Sequence, residues 1–91
     1  MPDKEPKVVK AEMDKKMQDE AVKIAQEAID RSRKPEDVPR YIKEYFDKEF
    51  KPSWHCISGK KFCSYITHEQ DGFIYFSIDG QDYLLFKTPS I

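Results

Sequence analysis

Residues 52–69 read PSWHCISGKKFCSYITHE, and this run holds the only tryptophan, both histidines and both cysteines of the chain. Aromatic and β-branched residues alternate on either side of Ser58-Gly59-Lys60, a pattern that predicts two strands joined by a turn. The second predicted strand, Phe62 to Thr67, carries apolar and polar side chains on both of its faces. Such a strand suits the edge of a sheet or an interface better than the centre of a core.

Two amphipathic helices are predicted before this run. The first has apolar residues at helical spacing and extends from Asp14, a plausible N-cap, to about Arg33. The second carries an aromatic-rich stripe, starts between residues 35 and 38 and ends near Phe50. Residues 7–10 are compatible with a short strand.

The remaining sequence predicts strands at residues 53–58, 73–78 and 81–87. Asp79-Gly80 is a two-residue loop of the kind that type I′ hairpins prefer. Alternation along residues 73–78 places Ile74, Phe76 and Ile78 towards the helices, and Phe73 and Tyr75 on the opposite face. Exposed aromatic side chains together suggest a surface that a second copy of the chain, a peptide, or both would cover. We therefore predict an α+β domain at residues 7–91, preceded by a flexible N-terminal tail at residues 1–6.

Composition narrows the class of partner. The chain has 91 residues, and its 16 Lys and Arg against 17 Asp and Glu leave a net charge of -1. This balance provides no general attraction to nucleic acid or to anionic lipid. The sequence contains no apolar run long enough to span a membrane and no signal peptide, so we expect an intracellular protein with reduced thiols.

The histidines and cysteines of the 52–69 run are of the residue types that form metal sites and reactive thiols. Their spacing argues against both. His55 and Cys56 are neighbours on one predicted strand and point to opposite faces, as do Cys63 and His68 on the next. A tight hairpin would place Cys56 opposite Cys63, from where a disulfide could form, although a reducing compartment disfavours it. We expect no catalytic residue, metal or cofactor, and keep a small thiol or metal protein as the alternative from another class.

His55 has two interpretations. It is either a satisfied, partly buried histidine, or a histidine at a subunit contact. In the second case protonation would place a charge in a desolvated interface and weaken association.

The order of residues resembles the small dynein light chains of the hub type, the DYNLL family, over nearly the whole chain. The matching residues are Val8, Lys10-Ala11, Met13, Met17-Gln18, Ala25, Phe46-Asp47-Lys48, Pro52-Ser53-Trp54-His55-Cys56-Ile57, Gly59, Phe62, Ser64-Tyr65, Thr67-His68-Glu69, Phe73-Ile74-Tyr75-Phe76 and Leu84-Leu85-Phe86-Lys87.

The resemblance implies a non-enzymatic homodimer in which two helices pack on an antiparallel β-sheet completed by a strand exchanged between subunits. The exchanged strand would be Phe62 to Thr67. Disordered segments of other proteins, such as the dynein intermediate chain, would add to it as further strands, and two grooves per dimer would favour bivalent binding. The implied role is that of a dimerisation hub in the cytoplasm, on the microtubule-associated dynein complex, without nucleic acid, membrane or small-molecule substrate. A diverged paralogue with a non-motor role or altered peptide specificity is the alternative.

The same resemblance implies the site residues. The peptide-binding groove would use Lys10, Glu36 of the other subunit, Phe62, Cys63, Ser64, Tyr65, Ile66, Thr67, His68, Phe73 and Tyr75. The dimer interface would use His55, Ser64, Tyr65 and Thr67. Three departures from the family bear on peptide preference rather than on the mode of binding. The family usually has glycine at Cys63, tyrosine at Ser77, and Glu-Lys-Asp where this chain has Pro35-Glu36-Asp37.

Overall fold

The computed structural model describes residues 6–60 and 62–89. Within these ranges the chain forms two helices and four strands. In order they are β1 (Lys7–Glu12), α1 (Lys15–Arg31), α2 (Asp37–Phe50), β2 (Trp54–Gly59), β3 (Phe73–Ile78) and β4 (Gln81–Lys87). The predicted tail lies, apart from Pro6, outside the described residues.

Local sequence accounts for where the helices begin. The Asp14 carboxylate accepts a hydrogen bond of 2.8 Å from the Met17 backbone N–H, which confirms the predicted N-cap of α1. The second helix begins at Asp37, inside the predicted window, after a turn in which the Lys34 carbonyl accepts from the Asp37 N–H. Glu36 occupies the position before it and makes no side-chain capping bond.

The four strands form one antiparallel sheet in the order β1-β3-β4-β2. The β3–β4 hairpin turns at Asp79 and Gly80, whose φ angles of 51° and 80° are both positive, as predicted for this loop. A two-residue loop fixes the register, so that Ser77 pairs with Asp82 and Tyr75 with Leu84.

Both helices cover one face of this sheet. The α1 side of the core is alanine-rich, since Ala21, Ala25 and Ala28 are all fully buried. Phe46 of α2 packs on the Trp54 ring with 4.9 Å between centroids. The hydroxyls of Tyr41 and Tyr45 on α2 donate to Glu27 and Glu20 on α1, which ties the two helices together.

The predicted division of β3 into two faces is correct on the helix side. Ile74 and Phe76 are fully buried there, and Ile78 is 5% exposed. The chain is therefore an α+β domain of two helices on an antiparallel sheet, as predicted. No helix within the described ranges is both long and apolar enough to span a membrane.

Two predictions for the 52–69 run are wrong for the single chain. Residues 62–67 are not a strand here, and Ser58 and Gly59 continue β2 instead of turning back. The reason is that β2 pairs along its length with β4, from Trp54 opposite Lys87 to Gly59 opposite Asp82. The tight hairpin is not formed, and both cysteines are free thiols.

Candidate functional site

Residues 62–68 cover the sheet face that points away from the helices. The Phe62 ring stacks on Tyr75, with 5.5 Å between centroids and 4° between planes. At the other end the His68 ring packs on Phe73 at 4.8 Å. The expectation that Phe73 is exposed is therefore wrong, because it is only 8% exposed under this cover of the same chain.

Two anchors hold this segment to the sheet. The first is the Phe62 ring, which packs so closely over Gly59 that a Cβ atom there would lie 3.3 Å from it. A turn after His68 provides the second: the Glu69 N–H donates to the Lys87 carbonyl at 2.7 Å, and the Lys87 ammonium lies 3.2 Å from the Glu69 carboxylate. Residues 63–67 lie between these two anchors.

The backbone of residues 62–67, which we call the unpaired segment, has no strand partner. No backbone hydrogen bond joins it to another residue within 6–60 or 62–89. Its side chains at Cys63, Ser64 and Thr67 are exposed, and Tyr65 is 99% exposed. Exposed backbone N–H and C=O groups of this kind can pair with another chain.

A groove of about 510 Å³ runs between the unpaired segment and β1. It is lined by Lys10, Glu12, Phe62, Cys63, Ser64, Tyr65, Ile66, His68, Phe73 and Tyr75. The structure thus brings together the residues that the resemblance implied for peptide binding, with two exceptions. Thr67 lies on the segment outside the lining, and Glu36 lies at the start of α2.

One end of the groove carries a charged rim. The Glu12 carboxylate lies 3.8 Å from His68 Nε2, while His68 Nδ1 lies 2.9 Å from the Glu69 carbonyl and so can donate to it. Glu12 was not among the predicted site residues. Alternation along β1 places Lys10 and Glu12 on one face, so the sequence contained the signal that would have found it.

The two edges of the sheet differ in how open they are. The outer edge of β1 has a register irregularity between Val8 and Lys10 and carries charged side chains, two devices that discourage pairing with another strand. The outer edge of β2 has the sequence WHCISG, which contains no Asp, Glu, Lys or Arg. Of the two edges, β2 is the one that would accept another strand.

The predicted interface residues are all exposed in the single chain. His55 lies on β2 with its ring tilted against Phe86 at 5.4 Å, and its Nε2 lies 3.4 Å from the Thr88 hydroxyl. Ile57, two residues further along the same face, is 45% exposed. The interpretation of His55 as a partly buried histidine within the subunit is therefore wrong.

The two cysteines differ in environment. Cys56 packs against the core, and burial raises the pKa of its thiol from 9.0 to about 12, which disfavours the reactive thiolate. Cys63 is exposed and lines the groove. Across residues 6–60 and 62–89, no three His, Cys, Asp or Glu side chains converge as metal ligands would.

Asp82 is a neighbour of the groove that the sequence analysis missed. The Tyr75 hydroxyl donates to its carboxylate at 2.7 Å, and this hydrogen bond raises the pKa of Tyr75. The hairpin register that Asp79-Gly80 sets places Asp82 beside Ser77 and on the face of Tyr75. That register was available from the sequence.

A second depression, of about 520 Å³, lies at the turn between α1 and α2. Four cations line it: Arg31 lies 3.6 Å from Glu27 and Arg40 lies 3.3 Å from Glu44, while Arg33 and Lys34 have no carboxylate within 4.0 Å among the described residues. All four cations are exposed to water.

Comparison with known proteins places the chain in a family. Residues 5–88 match the family model described as dynein light chain type 1. A curated dynein light chain of Schistosoma mansoni is 46% identical over 78 residues, which are 86% of this chain and 88% of the relative.

Solved structures show the same fold at lower identity. The dynein light chain-like domain of the Fasciola hepatica calcium binding protein FhCaBP2 superposes with a TM-score of 0.82 in both a native and a mercury-derivative structure. The identities are 21% and 19%, with 96% and 93% of this chain and 94% and 93% of the other chains covered. The dynein light chain-like domain of CsTAL3 gives a TM-score of 0.69 at 20% identity, covering 93% and 94% of the two chains. The chain belongs to the dynein light chain family.

Proposed function

We propose that this protein is a non-enzymatic, homodimeric dynein light chain that binds short linear segments of other proteins by β-strand addition. The observation that carries the proposal is the unpaired segment at residues 62–67, which lies beside a groove of about 510 Å³. A strand offers hydrogen-bonding groups along two edges. In the proposed assembly, one edge of residues 62–67 pairs with a second subunit and the other edge pairs with the guest.

The second subunit would contribute the uncharged edge of β2. Exchange of residues 62–67 between two copies gives each β2 a neighbour and satisfies backbone groups that are otherwise left to water. The contact face would include Ile57, 45% exposed, and Tyr65, 99% exposed, in a single subunit. Burial of these apolar surfaces favours the dimer. Because the contact is isologous, each residue contributes twice.

The guest would lie in the groove as an additional strand. Main-chain hydrogen bonds supply affinity for many sequences, and the groove lining selects among alternate side chains. Two grooves per dimer allow two copies of a guest chain to bind together at a high effective concentration. The dynein intermediate chain is the partner that family membership suggests, and the place of action would be the cytoplasmic dynein complex on microtubules.

A diverged paralogue with other guests is the second candidate. Cys63, an exposed thiol in the groove lining, and Ser77, a small side chain beside it, are the features that favour it. Both alter the shape of the groove and leave its backbone pairing intact. The two candidates therefore share a mode of binding and differ in the guest.

The test is a titration of the purified protein with a dynein intermediate-chain peptide while the mass in solution is monitored. We expect a dimer that takes up two peptides. Two matched peptides keep every side chain and carry N-methyl groups on one or the other alternate set of backbone amides. Methylation of the set whose N–H groups face the protein should weaken binding strongly, and methylation of the other set should weaken it much less. A monomer would refute the homodimer, and binding of both methylated peptides as tightly as the unmodified one would refute β-strand addition. A dimer that rejects this peptide but selects others would favour the paralogue.

A further inference from the structure

Asp82 presents a carboxylate beside the groove with most of its hydrogen-bonding capacity unused. It is half-buried on β4 and accepts from the Tyr75 hydroxyl at 2.7 Å. An ionised carboxylate can accept about four hydrogen bonds, and this is the one side-chain bond that Asp82 accepts within residues 6–60 and 62–89. A partly desolvated anion of this kind gains more from a cation than a fully hydrated one does.

No cation of the described residues lies within 4.0 Å of this carboxylate. Two lysines are near it along the sheet. Ser77 lies between Lys7 and Asp82, because it pairs with Lys7 on one side and with Asp82 on the other. Lys60 follows Gly59, the β2 residue that pairs with Asp82. Both are exposed, and holding a long flexible lysine against Asp82 would cost side-chain entropy. Among the described residues, no cation is therefore held against this carboxylate, which can accept one from a guest.

The route from the groove to Asp82 passes over Tyr75 and Ser77. Tyr75 lines the groove, and its hydroxyl contacts Asp82 directly. Ser77 is the cross-strand partner of Asp82, and its small side chain does not block access from the groove. At the opposite end, Glu12 already lies near His68. Glu12 is exposed there, whereas Asp82, beside the Ser77 end of the groove, is half-buried.

We propose that Asp82 makes this end of the groove a subsite for one lysine or arginine side chain of the guest segment, an inference that rests on the proposed function. A guest that adds as a strand presents alternate side chains to the groove, so the preference appears at one guest position and not at its neighbours. A charge-assisted hydrogen bond to a partly buried carboxylate corresponds to a preference of about tenfold for lysine over glutamine at that position. The preference weakens as salt is added.

The experiment selects peptides from a random library with the wild-type protein and with Asp82→Asn. The asparagine keeps the size of the side chain and an acceptor for the Tyr75 hydroxyl, so the groove keeps its shape. Asp19→Asn is the matched control, because it makes the same change of charge on the exposed surface of α1, on the other side of the sheet from the groove. Affinities are then measured for one selected peptide and for its variants with glutamine or glutamate in place of the cation.

The expected result is enrichment of lysine and arginine at one position by the wild type and by Asp19→Asn, and loss of that enrichment with Asp82→Asn. If the selected peptides show no enrichment of lysine or arginine at any one position, or if Asp82→Asn keeps the same preference, this inference is overturned and the proposed function still stands. Failure of the wild type to select any peptide would overturn both.

Discussion

Tyr65 gives a sharp prediction because its ring has almost no contact within a single subunit. The side chain is 99% exposed, so Tyr65→Ala removes a ring that water already surrounds. We expect the free energy of unfolding of an isolated subunit to change by less than about 0.5 kcal/mol. Any larger effect of this substitution must therefore come from association with another chain.

In the proposed dimer the same ring lies in the contact face. Truncation of an anchoring aromatic residue at an interface costs about 2 kcal/mol. A symmetric dimer loses two such rings, which gives about 4 kcal/mol and a dissociation constant raised about a thousandfold. Sedimentation velocity over a range of concentrations measures the dissociation constant, and denaturant unfolding of dilute protein measures subunit stability.

The matched control is Ile29→Ala, which shortens a 37% exposed apolar side chain on α1, away from this face. It should leave the dissociation constant unchanged. An unchanged dissociation constant in Tyr65→Ala would refute the assignment of residues 62–67 to the interface. A large loss of subunit stability would show that Tyr65 packs within its own chain.

Three further predictions concern single side chains. His55→Lys should be monomeric, because a permanent charge at the contact face opposes association; an intact variant dimer in sedimentation would contradict this. Since burial raises the pKa of Cys56 from 9.0 to about 12, the unfolded chain loses the thiol proton first. The contribution of this thiol to the free energy of unfolding should be fully present below pH 9 and fall above it by up to about 1.4 kcal/mol per pH unit. In Cys56→Ala this fall should be absent between about pH 9 and 10. Asp14→Ala should lower the free energy of unfolding by about 1 kcal/mol through loss of the bond to the Met17 N–H. Asp19→Ala, which removes an exposed pair with Lys15, should change it by less than about 0.5 kcal/mol in the same urea titration.

Features specified by neighbouring residues were predictable from the sequence. Asp14 caps α1 because its carboxylate reaches an N–H three residues ahead. Asp79-Gly80 forms its turn because both residues adopt positive φ. The buried face of β3 follows from alternation alone.

The sheet order depends on contacts that local pattern does not encode. The first strand pairs with β3, more than sixty residues later, and β2 pairs with β4 across the whole unpaired segment. Alternating residues also predicted a strand at residues 62–67, although a strand needs a partner as well as a propensity. Within the described residues of one chain, no strand pairs with that segment, so its propensity alone does not produce a ladder.

Most of the groove lining came from the family resemblance, but Glu12 in the lining and Asp82 beside it did not. Glu12 required only the alternation of β1, and Asp82 required the register of a hairpin that was already predicted. Neither was predicted, because the usual interpretation of an acidic side chain on a helix or strand is solvated surface. That interpretation holds for residues such as Asp19 on α1, which is exposed beside Lys15.

Amide exchange along residues 62–67 tests the central claim most directly. If this segment is a strand between two neighbours, alternate amides point to opposite edges. Residue-resolved exchange should then show one alternate set protected on dimerisation, and the interleaved set protected only when a guest peptide is added. Protection of neither set at concentrations where the protein is dimeric, or protection of both sets in the isolated monomer, would contradict the account.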